Sequence, residues 1–322
     1  MKKTLLAGLL APALMLMLPL AAINKPETAV AVGAKAEPPP TADIREDTFK
    51  IYDKENNKVT EMTAEEYIFG VTAAEMPALY HEEALKAQAV AAYTFALYRR
   101  GENADKGYDI TTDHTSDQSF ITEEKARERW GDKADEYCEK LKKAVSEVKG
   151  LAITYDRKPI LAVYHAISSG RTENCRDIWG NDPPYLKAVD SSFDRLCPKY
   201  ISKQAFSKEE FCEKLSDKVA FSGETGEYLK ITERTESGTV KTVDICGKEL
   251  SGAEIRSVFS LRSSNFEISY NDGEFTFTVY GYGHGVGMSQ YGADCMAKQG
   301  SDFKEILTHY YSGCRVDKFT NS

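Results

Sequence analysis

Tryptophan and histidine are scarce in this chain, with 2 and 5 residues in 322, and several signature arrangements are missing. No C-x-x-C occurs, and no two of the seven cysteines (138, 175, 197, 212, 246, 295, 314) lie closer than fifteen residues. Zinc-finger spacing is therefore excluded, and scattered thiols in an exported chain fix no disulfide connectivity, Cys175 with Cys197 included. H-E-x-x-H, G-x-S-x-G and a papain-like cysteine setting are also absent, which argues against metal hydrolysis and nucleophilic catalysis. There is no long basic run, and 41 Lys and Arg stand against 50 Asp and Glu, a net charge of −9. Attraction to a polyphosphate backbone does not drive binding in such a chain, so nucleic acid is not expected as a partner. No repeat of solenoid or propeller period is present.

What is present suits a globule. With 42% hydrophobic, 28% charged and 11% aromatic residues, the chain can bury a substantial core, and its length allows one large domain or two. Lys2 and Lys3 precede nineteen uncharged residues, Leu5 to Ile23, close to the length that spans a bilayer as a helix. An anchor over 1–23 is expected, with the rest exported. Cleavage as a signal peptide after Ala29-Val30-Ala31 is the alternative. Residues 24–43, with Pro38-Pro39-Pro40, read as a stiff spacer, and 44–322 as the extracytoplasmic domain. Without the two lysines the exterior carries 39 basic and 50 acidic residues, or −11.

Phe49 and Ile51, returning through Val59 around Asn56-Asn57, read as a hairpin. Thr63 with Glu66 is a capping-box pattern opening a helix that Pro77 stops. A second helix is expected from His81 or Glu82 to Arg100, acidic first and basic last, with Gly101 as its cap. Residues 123–149 read as one or two solvent-facing helices. Leu151–Tyr155 and Ile160–Tyr164 suggest a hairpin leading into His165 and the hydroxyl-rich loop Ser168–Thr172. Phe275, Phe277 and Val279 alternate as a strand. After them Gly281-Tyr282-Gly283-His284-Gly285-Val286-Gly287 leads to a helix from about Met288 to Lys298. Strands interleaved with long helices indicate an α+β fold, mixed helices and antiparallel strands in one domain behind the anchor.

Three positions invite chemistry, each with an ordinary counterpart. Glu75 in Ala73-Ala74-Glu75-Met76-Pro77 is an ionisable group among apolar neighbours, where desolvation favours the protonated acid that glycosidic cleavage needs. The same pattern also describes a surface glutamate. Gln88 shares a helical face with Ala84, Ala91, Ala92 and Phe95, and so serves either a neighbouring loop or a ligand hydroxyl. His284 sits among alternating glycines that lack the G-x-G-x-x-G and G-K-[ST] of phosphate loops. Those glycines permit close approach of something bulky, such as a polymer; a histidine bonded to a carbonyl is the alternative.

Ala74-Glu75-Met76-Pro77, Glu83 through Ala92, and His284-Gly285-Val286-Gly287-Met288-Ser289-Gln290-Tyr291-Gly292-Ala293 resemble the stage II sporulation protein D (SpoIID/LytB) family. Ile306-Leu307, Tyr310 to Gly313, Ser168 to Glu173, Trp179-Gly180 and Pro184-Tyr185-Leu186 match as well, so the likeness runs from about Phe49 to Cys314. It implies a lytic transglycosylase that cuts peptidoglycan strands stripped of stem peptides during sporulation engulfment, leaving 1,6-anhydro-muramyl ends. By the same likeness Glu75 is general acid and then base. Gln88, Tyr93, Ser169, Tyr185, Lys187, His284, Ser289, Gln290 and Tyr291 are the substrate-binding candidates. No cofactor is implied. The implied partners are the sporulation amidase SpoIIP and the membrane protein SpoIIM, and the implied location is the mother-cell membrane, facing the intermembrane space.

Two departures stand out. The family usually reads A-A-R-T where this chain has Ala91-Ala92-Tyr93-Thr94, which puts a phenol in place of a positive charge. Some relatives carry a Cys and His-Cys zinc pattern ahead of a glutamine, whereas Thr111 to Gln118 reads TTDHTSDQ. His114 alone cannot hold zinc, and no metal is expected. The competing reading, from the same family, is a non-catalytic glycan binder that stimulates a cell-wall amidase; a purely structural tether is a third.

Overall fold

A computed structural model describes residues 47–54, 56–113, 117–221 and 229–319. The anchor expected over 1–23, the spacer over 24–43 and His114 lie outside the described residues. Among those residues no helix is long and apolar enough to cross a membrane. The architecture is mixed α and β, with helices and mainly antiparallel sheets.

β1 (Thr48–Asp53) and β2 (Lys58–Thr63) form the expected hairpin, Thr48 opposite Thr63 and Asp53 opposite Lys58. Thr63 then caps α1 (Ala64–Glu75). Its hydroxyl accepts the Glu66 N–H at 3.2 Å while the Glu66 carboxylate accepts the Thr63 N–H at 3.0 Å, so two otherwise orphaned donors are met. α2 (Glu82–Glu102) follows, with His81 as its side-chain cap. Every residue from Ala87 to Leu97 is buried, so this helix is core on all sides rather than along one stripe. It runs through Gly101 and ends at Asn103, whose side-chain amide donates to the Asp109 carbonyl at 2.9 Å. That anchored asparagine takes the capping place expected of the glycine.

β3 (Ile110–Thr111) lies parallel to β1. α3 (Glu123–Trp130) and α4 (Ala134–Glu147) occupy the charge-rich stretch, and the latter buries Cys138, Leu141, Ala144 and Val145 against the core while its other faces stay wet. β4 (Leu151–Tyr155) meets β5 (Lys158–Pro159) only at Thr154 and Tyr155, across a tight turn with positive φ at Asp156 and Arg157. The expected second strand breaks off there, and β6 (Tyr164–His165) joins another sheet. α5 (Cys175–Trp179) ends on Gly180 in the left-handed region, φ 82°. All seven cysteines are free thiols.

A second core then gathers residues from Phe206 to Val279. β7 (Ile201–Ser207), α6 (Lys208–Leu215), β8 (Leu229–Arg234), β9 (Val240–Ile245), β10 (Lys248–Ser251), α7 (Gly252–Val258), β11 (Phe266–Asn271) and β12 (Glu274–Tyr280) make two three-stranded sheets, ordered β10-β9-β8 and β11-β12-β7. Phenylalanines fill the space between elements: the Phe211 and Phe275 rings lie 4.0 Å apart and those of Phe259 and Phe277 4.8 Å. The chain returns to the first core through β13 (Met288–Ser289), α8 (Gln290–Lys298), α9 (Phe303–Tyr310) and β14 (Arg315–Lys318). Met288 and Ser289, expected to open a helix, pair instead with Tyr164 and His165. The helix starts at Gln290 because the Ser289 hydroxyl caps it, accepting the Gly292 N–H at 3.2 Å.

The alternating glycines work inside the protein. A Cβ on Gly281 would sit 2.7 Å from the Ile167 carbonyl, on Gly283 2.6 Å from the His165 Cβ, on Gly285 2.9 Å from the Glu173 Cγ and on Gly287 2.1 Å from the Val163 carbonyl. The bulky neighbour that they admit is the chain's own segment 163–173. Gly287, at φ 73°, combines the clash with a left-handed backbone, so Gly287→Ala is expected to cost about 2 kcal/mol or more in urea unfolding. Gly273, at φ 85° with open space around it, serves as the contrast: its alanine variant loses only the torsional term, about 1 kcal/mol.

Candidate functional site

Glu75 closes α1 and is half-buried. Its Oε1 accepts the Ser119 N–H at 3.0 Å. Beside it runs a line of amides and phenols. The Tyr164 hydroxyl donates to Gln118 Oε1 at 2.9 Å, and Gln118 Nε2 donates to the Tyr67 hydroxyl and to the Ala92 carbonyl, both at 3.2 Å. Burial holds the Tyr164 phenol well above its ordinary value, and the charge of Glu75 adds to that. A second carboxylate lies in this neighbourhood, since both Glu75 and Asp117 act on the Tyr67 phenol. Asp117, whose side chain is fully buried, already takes the Arg99 guanidinium at 2.6 Å and both the N–H and the hydroxyl of Thr111. Both of its oxygens are thus engaged, by Arg99 and by Thr111.

From α8, Gln290 donates to Gln88 Oε1 at 3.3 Å, which joins the two ends of the chain across the first core. Gln88 is fully buried, and its side chain also acts on the Tyr164 phenol by hydrogen bonding. Nearby, Asp294 on α8 accepts the N–H of His81 at 2.8 Å, fixing α8 to the start of α2. The Tyr291 ring meets Tyr80 edge-on at 6.4 Å.

Two histidines sit behind Tyr164, their rings 5.7 Å apart. His165 donates from Nδ1 to the Val286 carbonyl at 3.1 Å, which leaves Nε2 as a buried acceptor with no donor. Burial lowers its pKa to about 4. His284 accepts the Val286 N–H on Nδ1 at 3.1 Å and bonds the Tyr164 backbone with its other nitrogen. Burial first, then His165 and Arg256, push its pKa down as well. Both rings are thus neutral hydrogen-bonding spacers at ordinary pH. The Trp179 ring lies 4.8 Å from that of His284 and is 43% exposed.

The other candidates stand elsewhere or are occupied. Tyr93 projects about 140° around α2 from Gln88; its hydroxyl donates to Asp47, which also pairs with Arg100, and its ring meets Phe49. It belongs to the packing of β1 and is not brought to Gln88 and Gln290. Ser289, with no exposed surface, donates to Asp194 at 2.8 Å while capping α8. Ser169 donates to the Ser237 carbonyl at 2.9 Å. The Tyr185 hydroxyl accepts the Leu161 N–H at 3.2 Å, and the ring lines a hollow of about 570 Å³ shared with Phe95, Arg99 and Trp179. Lys187 pairs with Asp182 at the surface, 2.5 Å away. Another cavity, about 630 Å³ and rimmed by glutamates of α1 and α3, contains none of the candidates. Among the described residues no cluster of three or more His, Cys, Asp or Glu is placed to hold a metal. Tyr164, Gln118 and Asp117 escaped the sequence reading as site residues. Gln118 was visible only as the end of TTDHTSDQ, and its partners lie 26 to 51 residues away.

The SpoIID family model, described as stage II sporulation protein, matches residues 52–155. Stage II sporulation protein D of Bacillus subtilis strain 168 is 37% identical over 308 residues, covering 94% of this chain and 89% of that protein. Its counterpart in Bacillus amyloliquefaciens is 39% identical over 272 residues, covering 83% and 78%. The chain belongs to the stage II sporulation protein D family. A more distant relative, named amidase enhancer, from Bacillus subtilis strain 168, is 26% identical over 301 residues, 78% of this chain and 40% of that protein. The matched family segment contains Glu75, Gln88 and Gln118, whereas Tyr164, His284 and Gln290 reach them from outside it.

Two outcomes follow from this geometry. Tyr93→Phe removes the bond to Asp47 and is expected to lower the free energy of unfolding by about 1 kcal/mol. For His165 the folded pKa of about 4 lies below the ordinary 6.5, so its contribution is complete above pH 6.5 and is lost as pH falls toward 4, by about 3 kcal/mol at most. Urea titrations across that range should show this limb, to which His284, lowered to about 3, adds with the same sign; His165→Asn, which keeps a donor for the Val286 carbonyl, should remove only the His165 share. Glu173 and Asp194, both raised by burial, act with the opposite sign.

Proposed function

We propose that this chain is a peptidoglycan lytic transglycosylase that cleaves glycan strands freed of stem peptides and leaves 1,6-anhydro-muramyl ends, with Glu75 giving and then retrieving the proton. The observation that carries this reading is the inequality of the two carboxylates: Glu75 is half-open at a helix end, while Asp117 beside it is buried and bonded on both oxygens to Arg99 and Thr111. A hydrolase of the usual kind needs two working carboxyls, and a single one suits a reaction in which no water enters. In this reading Glu75 begins the cycle with its proton in place. The carboxyl passes that proton to the glycosidic oxygen as the bond from the anomeric carbon breaks. The carboxylate then takes the proton of the same sugar's 6-hydroxyl as that oxygen closes onto the anomeric carbon, so the acid is regenerated.

The resemblance adds an amino-terminal anchor over 1–23, display from the mother-cell membrane during engulfment, and SpoIIP and SpoIIM as partners. A second reading, a glycan binder that stimulates a cell-wall amidase, is favoured by the relative named amidase enhancer and by Tyr93 in place of the family's arginine. Incubating the full-length chain with amidase-treated glycan strands, followed by mass spectrometry of the ends, separates the two. Anhydro-muramyl ends are expected, falling about a thousandfold in Glu75→Gln. Equal yield from that variant overturns the role of Glu75; no such ends, together with faster amidase turnover, establishes the modifier.

A further inference from the structure

The second core meets the glycine strand around a pocket of about 150 Å³, lined by the candidates Ser169 and His284 among others. Arg256 on α7 lines it, half-buried. Its Nε donates to the Leu261 carbonyl at 3.3 Å, and no carboxylate pairs with it among the described residues. Burial works against its charge, and only the Tyr282 phenol supports it. A guanidinium withdrawn from water is costly unless an anion meets its forked donors. Arg171, exposed on the rim, adds a second positive charge.

No ion pair joins Arg256 to the remaining walls among the described residues. Glu173 is the carboxylate among the lining groups, and it is 2% exposed, accepts the Thr235 hydroxyl at 2.9 Å and is raised by burial. His284 is held neutral. Trp179 forms one lip, and its ring also faces the 570 Å³ hollow on the other side. The pocket adjoins the Glu75 neighbourhood, because His284 bonds the backbone of Tyr164, whose phenol feels the Glu75 charge.

We propose that this pocket receives the lactyl carboxylate of a muramyl residue, with Arg256 and Arg171 meeting the carboxylate and Trp179 lying under the sugar ring. The assignment rests on the glycan-strand reading above and adds a specificity site to it. The volume suits a short acid-bearing arm and leaves the ring outside, where an exposed indole offers an apolar platform. An N-acetylglucosamine residue has no such arm, and a stem peptide would convert the carboxylate to a neutral amide.

Calorimetric titration of the full-length chain, in the Glu75→Gln background so that nothing is cut, tests this with three tetrasaccharides. These are a peptide-free glycan with free lactyl carboxylates, the same glycan with those carboxyls as methylamides, and chitotetraose. The free acid is expected to bind about tenfold more tightly than either of the others. Arg256→Gln should remove that preference and leave the two neutral ligands unchanged. Arg256→Lys should retain part of it, and Arg171→Gln, at an exposed position, should reduce it without disturbing the fold. Equal affinity for all three ligands, or an Arg256→Gln variant that weakens all three alike, overturns the carboxylate site. Inorganic phosphate competing at equal concentration overturns the carboxylate assignment in favour of a general anion site. A chain that binds none of the three overturns the glycan reading itself.

Discussion

The carboxylate of Asp194, which has no exposed surface, is the point on which the surroundings of the candidate site depend. It accepts the Ser168 N–H at 2.8 Å, the Ser289 hydroxyl at 2.8 Å and the Ser191 hydroxyl at 3.0 Å, and Ser191 in turn meets the Tyr310 hydroxyl at 2.8 Å. One buried charge thus joins the hydroxyl-rich loop, the turn before the second core, the cap of α8 and the end of α9. Its desolvation is offset only while all three donors stay in place, so the segments around it move together or not at all. Because α8 begins one residue after Ser289, the reach of Gln290 to Gln88 follows from where Asp194 holds that serine.

Local signals in the chain were readable where the physics is local. The Thr63 and Glu66 pair, three residues apart, forms the reciprocal cap that the pattern announces. Pro77 follows the end of α1, and Phe275, Phe277 and Val279 face one buried side of β12. The features that escaped depend on partners far along the chain. Asp194 in Phe193-Asp194-Arg195 looks like any surface aspartate, and only the arrival of Ser289, 95 residues later, makes it a hub. Tyr93 illustrates the converse: a departure from the family pattern drew attention to the groove, yet its hydroxyl answers Asp47 and Arg100 at the edge of β1. The glycines were read for the conformational freedom they confer, but which body they admit could not be told from spacing.

Neutrality recurs around Glu75. The histidines are kept uncharged by burial, the nearby phenols are held far from ionising, Asp117 is cancelled by Arg99, and the amides of Gln88, Gln118 and Gln290 carry no charge. A guanidinium that no carboxylate pairs among the described residues stands at Arg256, on the far side of the histidine pair.

The first core is assembled from both ends of the chain. α2 packs against α8 and α9, the Phe303 N–H is taken by Glu83, and β4 finds most of its sheet partners in β14, at residues 315–318. The stretch between, residues 201–280, builds a separate core from its own neighbours. A polypeptide emerging from its amino end therefore cannot complete the part it makes first: that half must wait, apolar helix uncovered, until the final turns arrive, whereas the middle can settle as soon as it appears. Loss of residues 315–318 would leave β4 with an open edge from Leu151 to Thr154.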